Sequence, residues 1–165
     1  MLSKILSAGT TLLLAVALLG IAAAADLPGE PASSRAMVEL SRTHYVSGSE
    51  GSFIAYVITD PRCPHCQTLK KRIGGLDTPG IEWRYVSVGF LGEESLKLAA
   101  EKLEKELSVE GDQAARKNTE VVAGLGVRSV PAVFYETPQG KVRTFTGSGK
   151  DYVKALQRMA RENGE

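Results

Sequence analysis

Residues 53–59 read FIAYVIT, apolar throughout and rich in β-branched and aromatic side chains, the pattern of a central strand covered on both faces. Upstream, Thr43–Ser47 is also β-prone, and the turn-rich GSEGS between the two runs predicts a first hairpin. From Cys66 the spacing becomes helical, with Leu69, Lys70 and Ile73 stacking before Gly74 and Gly75 stop the helix. Ile81–Val88 (IEWRYVSV), entered through DTPG, predicts the next strand, whose Trp83 and Tyr85 are expected in the core. Glu93–Leu107 is amphipathic, with Leu96, Ala99, Ala100, Leu103 and Leu107 on one face and charge on the other. A second helix runs from Asp112 to Ala123 with Val121 and Val122 inward, ended by Gly124 and Gly126. Ala132–Tyr135 and Lys141–Phe145 form a hairpin around TPQG, and Ser148 with Asp151 reads as a capping box opening a last helix that buries Val153, Leu156 and Met159.

The order β, β, α, β, α, α, β, β, α predicts an α/β domain. Its strand-helix-strand stretch demands a crossover and its last hairpin antiparallel pairing, so the sheet is mixed with helices on both faces.

Residues 1–25 stand apart from this pattern. Lys4 supplies a positive start, Leu12–Ile21 an apolar run, and Ala23 and Ala25 the small positions of a cleavage site, so the segment reads as a secretory signal peptide cut before Asp26. An uncleaved anchor is the alternative, since about 20 apolar residues span a bilayer. A lipoprotein is excluded, because the first cysteine is Cys63. Asp26–Arg35 (DLPGEPASSR) lacks apolar periodicity and is expected to be a flexible leader, with Met37, Val38 and Leu40 beginning a short helix. The organisation is therefore signal peptide 1–25, leader or linker 26–42, and one domain over 43–165. Without Lys4 the mature chain balances 19 basic against 19 acidic residues, which gives a nucleic acid or an anionic membrane nothing to recognise.

Both cysteines lie in DPRCPHCQ, residues 60–67, separated by Pro64 and His65. Export places them in an oxidising compartment, where thiols normally pair. As a staple the pair would be a poor choice: closing four residues contributes about 2 kcal/mol, against about 3 for fifteen. Tetrahedral zinc needs four ligands, and only His44, expected to be an exposed strand residue, and His65, caught inside the turn, could join the thiolates. Covalent haem needs histidine where Gln67 stands. Redox exchange fits the spacing. Pro64 suits the first helical position, which makes Cys63 the N-cap and aims the free N–H groups of His65 and Cys66 at its sulfur. The helix dipole adds typically 0.3–1 kcal/mol in favour of a thiolate there, and a protonated His65 would add its own attraction. Thiolate stabilisation favours the reduced form once the thiol ionises below ambient pH, so the disulfide becomes the better oxidant. Cys63 is the expected attacking sulfur and Cys66 the resolving one.

FIAYVITDPRCPHC (53–66), GVRSVPAV (126–133) and the closing hairpin and helix together resemble the periplasmic thioredoxin-fold disulfide oxidoreductases and isomerases called Dsb, and within them the catalytic domain of the DsbC and DsbG branch. The likeness spans about residues 50–160. It implies a thioredoxin-like fold with a helical insert, a cis peptide before Pro131 facing the CPHC turn, and substrate contact through Val130 and Pro131. Asp60 and Val57 match the DsbC/DsbG branch, while CPHC and Val130 match DsbA. The short segment before the first strand leaves no room for that branch's dimerisation domain, so a monomer is expected.

The expectation is an exported, periplasmic thiol–disulfide oxidoreductase of oxidase or isomerase/reductase type. Its partners would be thiol- or disulfide-containing envelope proteins and a membrane redox protein of the DsbB or DsbD kind, with no cofactor and no metal. Cys63 and Cys66 carry the chemistry, Pro64 and His65 tune the thiolate, and Val130 and Pro131 contact substrate. The competing reading is a metal-carrying or accessory binding protein of the cell envelope with the same fold.

Overall fold

The computed structural model describes residues 29–163, so the expected signal peptide and its cleavage site lie outside the described residues. Six strands form one mixed sheet in the order β1-β6-β5-β3-β4-β2. They are β1 (Glu30–Pro31), β2 (Tyr45–Ser47), β3 (Phe53–Thr59), β4 (Ile81–Ser87), β5 (Ala132–Glu136) and β6 (Val142–Thr146). The helices are α1 (Arg35–Ser41), α2 (Pro64–Gly74), α3 (Glu93–Leu107), α4 (Gly111–Gly124) and α5 (Lys150–Asn163).

At the centre, β3 pairs parallel with β4 and antiparallel with β5. Its side chains alternate as a pleated strand requires. Ala55 and Val57 join Leu69 and Ile73 of α2 and Val153, Leu156 and Met159 of α5 on one face. Tyr56 and Ile58 join Ala36 and Leu40 of α1 and Val122 of α4 on the other. A third cluster, built on Ala99, Leu103, Ala114 and Ala115, joins α3 to α4 and makes the helical insert a packed pair. The expected span of α3 matches at both ends, and Trp83 is fully buried with Tyr85 packed beside that core. Among the described residues no helix is long and apolar enough to cross a membrane.

Three expectations need correction. β2 and β3 do not form a hairpin: β4 lies between them, pairing antiparallel with β2 through Tyr45↔Val86 and Ser47↔Arg84. The GSEGS segment instead steps over the start of β4. There Ser49 Oγ donates to the Ile81 carbonyl at 2.7 Å, and a β-carbon on Gly51 would overlap the Gly80 carbonyl. The described part of the leader is ordered into the fold, because β1 pairs with β6 (Glu30↔Thr144, Pro31↔Arg143) and α1 buries Ala36 and Leu40, leaving Val38 exposed. The last helix begins at Lys150, so Gly149 rather than Ser148 precedes it.

Candidate functional site

α2 starts where the sequence places it. Cys63 is the N-cap, with extended backbone (φ −83, ψ 113), and Pro64 opens the helix. Pro64 surrenders no hydrogen bond there, because the first helical amides have no partner within the helix. The Cys66 amide donates to Cys63 Sγ at 3.1 Å, and both cysteines are reduced. Cys63 is 4% exposed and Cys66 is sealed. Burial, then the contact with Cys63, pushes the Cys66 thiol far above its ordinary range. The asymmetry is chemical: the outer sulfur, in a residue 4% exposed, meets an amide donor that suits negative charge, while burial holds the inner one as a thiol.

Asp60 fixes this turn from below. Its carboxylate is fully buried and accepts from the Arg62 amide (2.9 Å), the Leu91 amide (3.0 Å) and the Ser95 hydroxyl (2.8 Å). The Cys63 amide donates to its backbone carbonyl at 3.1 Å. One side chain thus ties the CPHC turn to the loop between β4 and α3, which Gly89 lets settle against Leu96, where a β-carbon would overlap the backbone.

The Val130–Pro131 peptide is cis and stands opposite the turn, with the Cys63 thiol donating to the Val130 carbonyl at 3.5 Å. Cys63, Pro64, His65 and Val130 share the wall of a groove of about 510 Å³. Four of the six sequence-derived site residues thus line one groove, with Cys66 directly beneath Cys63 and Pro131 following Val130.

The groove also exposes residues that sequence reasoning passed over. Phe90 and Leu91 form one side, and Val127, Arg128 and Ser129 the other. Leu91 is 51% exposed and lines the groove beside Phe90, so the two make an apolar patch rather than a lone surface leucine. Two adjacent bulky apolar residues in the GFLG loop were the available signal. Arg128 Nη1 donates to the Ala123 carbonyl in the last turn of α4 (3.1 Å) and to the carbonyl of its neighbour Val127 (3.2 Å).

His44 is not the exposed strand residue expected. It precedes β2, half-buried, with its amide donating to Asn118 Oδ1 (2.8 Å) and its carbonyl accepting from Asn118 Nδ2 (2.7 Å). Among the described residues, no three His, Cys, Asp or Glu side chains gather into a group that could hold a metal ion.

A family model described as a thioredoxin-like domain matches residues 43–159. The chain belongs to the thioredoxin-like family. No curated protein matches it in sequence. Solved structures share the fold at low identity. A periplasmic thioredoxin-like protein from Salmonella enterica serovar Typhimurium is 12% identical, with a TM-score of 0.59 over 80% of this chain and 99% of that one. The catalytic domain of Proteus mirabilis ScsC is also 12% identical, at 0.57 over 78% and 98%. The thiol-disulfide exchange protein alpha-DsbA2 from Wolbachia pipientis is 16% identical, at 0.55 over 79% and 98%. Within this thioredoxin-like frame, the CPHC turn and the cis-proline loop meet at Cys63 and Val130 and line the groove together.

Proposed function

We propose that this protein is an exported, periplasmic thiol–disulfide oxidoreductase of the Dsb kind, acting on polypeptide substrates. The observation that carries the reading is the asymmetry of the cysteine pair: Cys63 Sγ accepts from the Cys66 amide beside an open groove, while Cys66 is sealed and held as a thiol. In the oxidising direction a substrate thiolate attacks Cys63 of the Cys63–Cys66 disulfide. A Cys63–substrate disulfide forms, and Cys66 leaves as thiolate and takes a proton. A second substrate thiolate then attacks the substrate sulfur of that mixed disulfide, producing the substrate disulfide and expelling Cys63 as thiolate. Two electrons pass to the protein. In the isomerising direction Cys63 thiolate attacks a substrate disulfide instead, and the electrons return at the end of the cycle.

The remaining site residues take supporting roles. Pro64 starts the helix whose amides face the sulfur, and His65 stands exposed at its second position, where a positive imidazole would attract the thiolate. The Val130 backbone, beside Cys63 Sγ, offers an extended substrate segment a main-chain partner. The Cys66 amide donated to Cys63 Sγ suits the reduced form of the pair and so the oxidising direction, which a membrane partner of the DsbB kind would sustain. The periplasmic setting of the Salmonella protein and the thiol-disulfide exchange named for the Wolbachia protein support the assignment by likeness of fold.

The test is trapping. A Cys66→Ser variant should accumulate Cys63-linked mixed disulfides with envelope proteins in its host, dissolved by reductant and lost in the Cys63→Ser variant. Absence of such species, with Cys63 still open to alkylation, defeats the reading. Redox titration of the wild-type pair against glutathione then fixes the direction, since a potential as reducing as thioredoxin's, about −270 mV, excludes the oxidase arm.

A further inference from the structure

Val127, Arg128 and Ser129 line the Cys63 groove on one side and a second groove on the other. The second is about 490 Å³ and lies between the β1–α1 segment and the ends of β5 and β6. Its wall is apolar at Ala32, Ala36, Leu125 and Phe134 and carries hydroxyls at Thr144 and Thr146. Among the described residues lining it, Arg128, on the shared ridge, is the sole charged side chain, and β1 pairs with β6 at Arg143 and Thr144.

From the continuity of the two grooves we infer that the second is a docking subsite for the same polypeptide substrate, taking an apolar side chain about four residues from the cysteine that Cys63 attacks. The inference rests on the oxidoreductase reading and adds the shape of its substrate. An extended chain leaving Cys63 past Val130 advances roughly 3.3 Å per residue, so about four residues carry it about 13 Å beyond the attacked cysteine. The next side chains then lie over the second groove. Its hydroxyls suit a solvated main chain, and among the described lining residues the one charge, Arg128, is tied at the ridge to the Ala123 and Val127 carbonyls, so an apolar side chain seated against Leu125 and Phe134 has no lysine or carboxylate there to desolvate. The β1–α1 segment, which the sequence presents as a leader, thereby becomes the outer wall of the substrate track.

The test uses synthetic peptides with one cysteine, held as a mixed disulfide with thionitrobenzoate. They carry either Leu or Ser four residues from that cysteine, on its N-terminal side in one pair and its C-terminal side in another. Cys63 thiolate of the Cys66→Ser variant attacks the peptide sulfur, a Cys63–peptide disulfide forms, and thionitrobenzoate leaves with the bonding electron pair and is read by its absorbance. In one of the two pairs the Leu peptide should react about tenfold faster than the Ser peptide at limiting concentration, the part of a leucine's transfer energy that partial burial supplies. Adding Thr146→Lys, or Ser33→Lys as a second variant in the same wall, should bring that ratio toward one, with unchanged far-ultraviolet circular dichroism. A ratio near one in both pairs overturns the inference, as does a ratio that neither lysine moves. Failure of every peptide to react while Cys63 still alkylates sinks the oxidoreductase reading itself, and the subsite with it.

Discussion

Replacing Asp60 with alanine removes the acceptor for two amides and a hydroxyl at a point with no solvent exposure. A hydrogen bond to a charged group contributes about 1.5–3 kcal/mol, and a buried donor left unpaired costs about 1–3 kcal/mol. The full sum is not expected. Arg62 is exposed enough for its amide to find water, and the Ser95 hydroxyl can rotate, while deleting the carboxylate also relieves the cost of burying it. The expected destabilisation for Asp60→Ala is about 2–4 kcal/mol, and for Asp60→Asn about 1–2 kcal/mol, because one oxygen remains while the amide group turns a donor toward a donor. Urea unfolding of the reduced protein measures both, and a double-mutant cycle with Ser95→Ala checks the cause. Ser95→Ala should cost about 1–2 kcal/mol beside Asp60 and close to nothing beside alanine, a coupling of about 1 kcal/mol or more. Additive losses, or an alanine variant within about 0.5 kcal/mol of the parent, would refute the claim that this carboxylate holds the two loops together.

Three further outcomes follow from other parts of the structure. Asn118→Ala removes the paired hydrogen bonds to the His44 backbone and the one to the Ser87 carbonyl, and should cost about 2–4 kcal/mol in urea unfolding. Lys102 is pushed down to about 8, first by burial and then by the Lys70 ammonium, while its Nζ donates to Ser87 Oγ at 3.4 Å. A lysine depressed on folding makes stability rise with pH between about 8 and its ordinary 10.5, so Lys102→Met should stabilise the protein at pH 7 by roughly 1–2 kcal/mol, allowing for solvent screening, and lose that advantage toward pH 10.5. For Cys66 the sign is opposite: a thiol raised on folding contributes stability below its unfolded value, about 8.5, and loses it as pH rises beyond, so the reduced protein should weaken above that pH, as followed by urea midpoints, and Cys66→Ala should flatten the slope.

Local features were legible in the sequence because local forces decide them. The 3.6-residue stripe of α3 set both its ends, and proline after cysteine marked the start of α2, since proline fits there without losing a bond. Pairing partners were not legible in this way. GSEGS has the composition of a tight turn, yet the parallel crossover through α2 puts β4 against β3 and forces β2 outside it. Nothing local to Tyr45 or Phe53 records that choice. The β1 strand was hidden for a related reason: two residues, one of them proline, carry no periodicity, and their place is set by β6 more than a hundred residues away. At the site, the reacting residues were visible through their spacing and a family likeness, whereas Asp60 was noted without its bonds and Phe90 and Leu91 were overlooked, since their meaning depends on the loop facing Val130.

The exchange of a hairpin for a crossover also dictates an order of assembly. β2 has its ladder only with β4, so it cannot nucleate with β3 across the five-residue connection and must wait until residues 81–87 are laid down. As a three-residue edge strand bonded on one side only, β2 also has few contacts to lose when it opens. The amides of Tyr45–Ser47 should therefore exchange hydrogen for deuterium through partial openings that leave β3 and β5 intact.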